Sequence, residues 1–311
     1  MSRRVHNSWF GSLFLRALLG AAACSSTTHS ASDAGSPDSG SPLDAGSADG
    51  GLISGRPYGF HIPTSYQPGT PAPLLIMLHG YGASGVTEDL YLQLGSLSEE
   101  KGFLYAYPDG TVNQVGSRFW NATDACCNLY GSTVDDVAYI NAVIDDMESN
   151  YTVDSTRIYL FGHSNGGFMV NRLGCDLSPR IAAFVSMAGD TWEDQSRCQT
   201  TSPVSMIQFQ GTADAVVSYD GGVLYPGGAV YPGATQTAAD WAALDGCDGG
   251  VQDGGATPEL VPGLTTTIAR YGGCGRSAVE LWSVQGGSHV PVLVAGWSGP
   301  FWDFLSAHSK D

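Results

Sequence analysis

Apolar positions along this chain fall into two patterns. Leu74-Leu75-Ile76-Met77-Leu78 is an unbroken apolar run, as a strand buried on both faces requires. Comparable runs recur at residues 102–108, 157–161, 182–189 and 204–210. Residues 279–284 alternate apolar with polar, and Tyr58-Gly59-Phe60-His61-Ile62 opens the series. Between these runs the spacing becomes helical. Val137, Ile140, Ile144 and Met147 share one face of a predicted helix over residues 135–149. Asp135 and Asp136 sit in its first turn, where the positive end of the helix dipole favours carboxylates. Further helices are predicted around residues 88–101 and 301–308. Alternating β and α units predict an α/β class, a mostly parallel sheet with helices on both faces.

Candidate chemistry sits at one junction of these patterns. The strand at 157–161 runs directly into Gly162-His163-Ser164-Asn165-Gly166, and a helix begins after it. A Gly-x-Ser-x-Gly between strand and helix is the nucleophile elbow of an α/β-hydrolase fold. The turn is tight, and glycine at both flanks removes a Cβ that would strike neighbouring backbone. With 42 glycines in 311 residues, however, the pattern also arises by chance, so its partners decide.

In this fold the triad runs Ser, then Asp or Glu, then His. Only His289 and His308 follow Ser164. His308 falls in the terminal helix, whereas His289 follows the alternating strand in Gly286-Gly287-Ser288-His289, where a general base belongs. Between them, the strand at 204–210 enters Gly211-Thr212-Ala213-Asp214, so Asp214 is the candidate acid. Asp190 and Asp220 are its rivals. An oxyanion hole needs main-chain N–H donors. Asn165 follows the nucleophile, and Tyr81 lies in His79-Gly80-Tyr81-Gly82 after the run at 74–78; their amides are the candidates. His79 itself is expected to brace the loop. Trp120 and Tyr219, on two further loops, are candidate substrate contacts, although Trp120 equally suits core packing.

These motifs, together with Phe119-Trp120-Asn121-Ala122, Cys126-Cys127-Asn128, Val134-Asp135-Asp136-Val137 and the stretch around Asp214, resemble the esterase/polyhydroxybutyrate depolymerase family, which includes feruloyl esterases and bacterial lipoproteins. The resemblance covers roughly residues 57–308. It implies an α/β-hydrolase fold with Ser164 as nucleophile, Asp214 as acid and His289 as base. It further implies hydrolysis of polyhydroxyalkanoate, or of feruloyl or acetyl esters on plant polysaccharide, without a cofactor. Where family members often carry Trp-Pro-Gly after the histidine, this chain has Val290-Pro291-Val292-Leu293, so the resemblance carries the catalytic role but not the shape of the pocket rim or the substrate.

Charge and ends narrow the setting. A formal net charge of -17 argues against nucleic acid and bare anionic lipid as partners. Residues 1–24 read as an export signal: Arg3 and Arg4, an apolar stretch too short to span a membrane, then Ala21-Ala22-Ala23-Cys24. That tetrapeptide resembles a lipobox with Cys24 as lipidation site, or marks plain cleavage after Ala23. The chain is thus expected outside the cell or anchored at a bacterial envelope. Residues 25–52, rich in Ser, Asp, Gly, Ala and Pro, cannot build a core and are expected to act as a disordered linker reaching about 30 Å; residues 53–311 form the catalytic domain. Six cysteines follow Cys24, an even number that suits disulfides in an exported chain. Cys247 with Cys274 is the favoured pair, then Cys175 with Cys198; Cys126 and Cys127 either bridge each other or pair elsewhere. The spacing matches no zinc site, so no metal is expected. Two other readings stand beside an esterase. Gly-x-Ser-x-Gly-Gly also occurs in serine peptidases of the prolyl oligopeptidase group, and a non-catalytic binding protein could keep the fold.

Overall fold

The computed structural model describes residues 55–310 and the backbone of Leu52–Ile53. The expected export signal, Cys24 and the linker up to residue 51 lie outside the described residues.

A ten-stranded sheet organises the chain. Its strands are β1 (Leu52–Ile53), β2 (Arg56–His61), β3 (Ala72–Leu78), β4 (Leu104–Pro108), β7 (Val153–His163), β8 (Ala183–Met187), β9 (Ser205–Gly211), β12 (Val251–Ala256), β13 (Thr266–Tyr271) and β14 (Val279–Val284). The small ribbons β5 (Thr111–Val112) with β6 (Arg118–Phe119), and β10 (Gly222–Val223) with β11 (Val230–Tyr231), stand apart. The order is β1-β2-β4-β3-β7-β8-β9-β14-β13-β12. From β4 to β14 every neighbouring pair is parallel, and the outer strands on both sides pair antiparallel.

The parallel centre explains the unbroken apolar runs. Leu74, Ile76 and Leu78 enter one core layer and Leu75 and Met77 the other; Ile158 and Leu160 divide in the same way from Tyr159 and Phe161. Both faces are dry, so both sets of alternating positions must be apolar. Burying each such side chain contributes roughly 1.5–3 kcal/mol. Trp297, Trp302 and Phe301 close one layer; Phe168, Trp241 and Tyr139 close the other.

The helix predicted over 135–149 is α3, Asp136–Asn150, with Asp135 as its N-cap accepting from the Ala138 amide. The helix predicted near 88–101 is instead two: α1 (Gly85–Leu92) and α2 (Leu94–Lys101). Gln93, at φ 55°, breaks them, and the turn lets Leu92, Leu94 and Leu97 all bury in one layer. Ser84 and Thr87 form a reciprocal capping box that starts α1. The remaining helices are α4 (Asn165–Asp176), α5 (Ala234–Leu244) and α6 (Gly299–Ser306).

Cys126 is bonded to Cys127, Cys175 to Cys198, and Cys247 to Cys274. The glycine-rich excursion between the last pair is the antiparallel hairpin β12–β13, which extends the sheet edge.

Candidate active site

Three parallel strands deliver their carboxyl ends to one edge of the sheet. Ser164 stands between the end of β7 and the start of α4, at φ 55° and ψ -117°. That backbone is costly for a residue with a Cβ, about 1–3 kcal/mol, and is held by its surroundings. The Ser164 amide donates to Met187 O at 2.8 Å. A Cβ on Gly162 would run into the Gly166 carbonyl, and one on Gly166 into the carbonyl of Leu78. Only glycine on both flanks lets the helix start this close to β3.

Asp214 closes the turn after β9, and His289 lies in the loop after β14. The two loops are sewn together: the Ala213 amide donates to Gly287 O at 3.0 Å, and the Gly286 amide to Thr212 Oγ1 at 2.8 Å. The side chains of Ser164, His289 and Asp214 then meet in series. His289 Nε2 lies 2.9 Å from Ser164 Oγ, and His289 Nδ1 lies 2.8 Å from Asp214 Oδ2. The other carboxylate oxygen, Asp214 Oδ1, accepts the amides of Val216 and Val217 at 2.8 and 2.9 Å, which holds the carboxylate at a fixed angle. Asp214 is acceptor-only, so His289 carries its proton on Nδ1 and offers the Nε2 lone pair to the serine.

Asn165 and Tyr81 flank this centre. The amides of Gly80 and Gly82 are engaged, by Glu88 Oε2 and Arg118 O. Among the described residues no protein acceptor meets the amide of Tyr81 between them, nor that of Asn165 at the first turn of α4. The Asn165 side chain has a separate task. Its Oδ1 accepts the Trp120 amide at 2.7 Å and its Nδ2 donates to the Trp120 carbonyl at 3.0 Å.

Trp120 corrects an expectation. Its side chain is fully buried against His79 and Tyr139, with Nε1 donating to the His79 carbonyl at 3.0 Å. An indole with no exposed surface packs and braces; it does not contact substrate. Tyr219 is half-buried, and its hydroxyl pairs with Ser283 Oγ at 2.6 Å. His79 is sealed: Nδ1 donates to Gly80 O at 2.8 Å and Nε2 accepts the Gly110 amide at 2.8 Å. Burial holds this imidazole below its ordinary pKa, which matches a neutral bracing role.

The rival carboxylates lie elsewhere. Asp190 is fully buried and takes the Thr237 hydroxyl at 3.0 Å on Oδ1, while Oδ2 has no partner among the described residues. Burial pushes it up to about 7. Asp220 is exposed. Asp136 does not cap, since Asp135 does: fully buried, it accepts Arg56 Nη1 at 2.7 Å and the Asn121 amide at 2.7 Å, tying the loop after β6 to β2. Two further residues escaped sequence reasoning. Glu88 and His163 form a buried pair at 2.8 Å beside the triad, and nothing in a separation of 75 residues signals their contact. A groove of about 660 Å³ runs between α1–α2 and residues 290–299, lined by apolar side chains such as Leu90, Tyr91 and Trp297 together with Gln93, Glu100 and Lys101, and by none of Ser164, Asp214 and His289. Among the described residues, no three His, Cys, Asp or Glu side chains cluster as metal ligands.

Comparison with known proteins places this arrangement. The prolyl oligopeptidase family matches residues 92–217. Feruloyl esterase B of Piromyces equi is 30% identical over 254 residues, 79% of this chain and 44% of that protein. Feruloyl esterase D of Neurospora crassa is 25% identical over 275 residues, 81% of each chain. The chain has the α/β-hydrolase fold and is similar in sequence to feruloyl esterases. It spans less than half the length of the Piromyces relative. In overall fold the chain is similar to the acetyl xylan esterase from Aspergillus awamori, with a TM-score of 0.61 at 17% identity over 85% of this chain and 97% of that one.

Proposed function

We propose that this α/β-hydrolase is an exported serine carboxylic-ester hydrolase working through an acyl-enzyme. The observation that carries the reading is the series Ser164 Oγ, His289 Nε2, His289 Nδ1 and Asp214 Oδ2, joined at 2.9 and 2.8 Å. Oγ attacks the ester carbonyl carbon as its proton passes to His289 Nε2. The carbonyl oxygen becomes an oxyanion in front of the Tyr81 and Asn165 amides, near the positive end of α4. The tetrahedral intermediate collapses, and the alcohol leaves with the proton from Nε2. Water, deprotonated by the same nitrogen, then releases the carboxylic acid and restores Ser164. Asp214 accepts from Nδ1 throughout and stabilises the imidazolium.

Feruloyl or acetyl esters of plant polysaccharide are the favoured substrates, with polyhydroxyalkanoate as the other polymer. The names of the relatives support the first. Export is supported by three disulfides, which persist in oxidising compartments; anchoring through Cys24 goes with that reading. A peptidase is the second reading, favoured by the prolyl oligopeptidase match across β7 and the turn holding Asp214.

Turnover of methyl ferulate, acetylated xylan, polyhydroxybutyrate and a prolyl peptide anilide separates these readings. The expected result is ester turnover that falls by about 10⁴–10⁶ in Ser164→Ala, with covalent fluorophosphonate labelling confined to Ser164. Equal ester rates in wild type and Ser164→Ala would end the proposal, and peptide cleavage exceeding ester cleavage would favour the second reading.

A further inference from the structure

Helix α1 sends two side chains toward the reaction centre that the triad does not use. Glu88 is buried and bridges two segments: Oε2 accepts the Gly80 amide at 3.1 Å, and Oε1 meets His163 Nδ1 at 2.8 Å. On its far side, His163 Nε2 donates to the main-chain carbonyl of His289 at 3.2 Å. Its ring lies 5.3 Å from the His289 ring and 5.8 Å from the Tyr91 ring. Tyr91, one turn beyond Glu88, donates its hydroxyl to Pro291 O at 2.7 Å. One short helix therefore holds the loop before Tyr81, the elbow residue before Ser164, and the main chain at His289 and two residues beyond it.

We propose that Glu88 and His163 are positioning residues for ester hydrolysis: as a buried carboxylate–imidazolium pair they lock the oxyanion loop and the His289 main chain in register with Ser164. The proposal rests on the esterase reading above. Donor counting fixes one ring nitrogen. A carbonyl can only accept, so His163 Nε2 carries a hydrogen. Glu88 accepts the Gly80 amide on one oxygen, and a single hydrogen lies between its other oxygen and Nδ1. Burial works against both charges, yet each partner outweighs it: His163 is held above its ordinary pKa and Glu88 below its own. The other titratable groups facing the pair are His289 and Asp214 from the loops after β14 and β9, His79 from the loop after β3, and Tyr91 on α1. An ion pair is a costly way to fill this space. It is also one that satisfies an amide and a carbonyl on opposite sides at once, which an apolar residue could not do.

The distinguishing test uses two substitutions on the full chain. Glu88→Gln keeps every hydrogen bond, since its amide oxygen accepts from Gly80 and its NH₂ donates to His163 Nδ1, leaving Nε2–H for His289 O; only the charges go. Glu88→Ala breaks all of them. Steady-state kinetics with methyl ferulate and the rate of fluorophosphonate attack on Ser164 are measured, corrected to folded protein by circular dichroism. Glu88→Ala is expected to lose at least about tenfold in kcat with KM within about twofold, since misplacement acts on the transition state. Glu88→Gln is expected to recover kcat to within about threefold, with the acid limb of kcat/KM displaced to higher pH by several tenths of a unit, because of the two charges removed the imidazolium lies nearer the His289 ring than the carboxylate does. If Glu88→Ala does not fold, Glu88→Gln and His163→Gln decide: an unchanged pH profile in the first together with unchanged kcat in the second overturns the proposal. Wild-type kcat in folded Glu88→Ala overturns it as well. Failure of wild type to cleave any ester sinks the esterase reading alone, because the phosphonylation rate still reports the geometry around Ser164.

Discussion

Asp214 and Asp190 both end parallel strands, and their fates show how much a single residue's surroundings decide. Asp214 receives two main-chain amides and His289, so its charge is matched on both oxygens. Asp190 receives one hydroxyl and is otherwise enclosed. Its raised pKa means that, between pH 3.8 and about 7, the folded chain binds a proton that the unfolded chain has released. Stability from this group therefore falls as pH rises across that window, and the cost stays in place above it. Asp190→Asn removes the charge while leaving an oxygen for Thr237. Its unfolding free energy should exceed that of wild type at pH 8, by up to about 4 kcal/mol for a shift of this size. The gain should vanish near pH 4. Chemical denaturation at the two pH values measures it, and an equal effect at both would show that burial does not govern Asp190. Glu88 and His163 belong to the same scale. A histidine in the x position of Gly-x-Ser-x-Gly and a glutamate in a helix are unremarkable until the backbone brings them to 2.8 Å.

Helix α4 is the element on which the site turns. It begins at the strained Ser164 and uses the Asn165 side chain to hold the Trp120 main chain like one more rung of a sheet. Asn165→Ala keeps the main-chain N–H but leaves a buried amide and carbonyl unpaired. Loss of about 2–4 kcal/mol is expected from the two orphaned groups. Urea unfolding checks this, and a variant as stable as wild type would show that water fills the gap. The adjoining helices were harder to anticipate. The break at Gln93 follows from how Leu92 and Leu94 must both face one layer, a condition set by β4 and α6 and invisible in local spacing. The strand β12, with two glycines and a largely exposed surface, and β13, with only Ile268 and Ala269 as adjoining apolar residues, carry no apolar run, so they pass for a loop until the edge of the sheet is in place to pair with them.

At the scale of the molecule, two disulfides join segments 23 and 27 residues apart, whereas the third, Cys126–Cys127, lies against Asn165, whose Nδ2 donates to Cys126 Sγ at 3.6 Å. Cys175, in the last turn of α4, is joined to Cys198, 23 residues on, across the loop that follows β8. The double substitution Cys175→Ser with Cys198→Ser should lower the urea midpoint by the equivalent of about 2–4 kcal/mol, by freeing the unfolded chain. Turnover at 25 °C should stay close to wild type, since the bridge lies at the opposite end of α4 from Ser164. A variant with unchanged midpoint but lost turnover would mean that the bridge shapes the site instead.

What the amino-acid sequence determined alone was whatever short-range physics settles. Unbroken apolar runs demand strands covered on both faces, helical spacing demands a one-sided helix, and glycines on both sides of Ser164 demand a tight turn. Strand order along the chain then named Ser164, Asp214 and His289, the three side chains that meet at one sheet edge. Tertiary structure decided what depends on neighbours remote in the chain: that Trp120 is enclosed, that Asp190 is buried with one hydroxyl for a partner among the described residues, and that Glu88 reaches His163. Burial and pairing at such distances arise only when the sheet closes its layers, because no local pattern encodes which buried polar group will find its match.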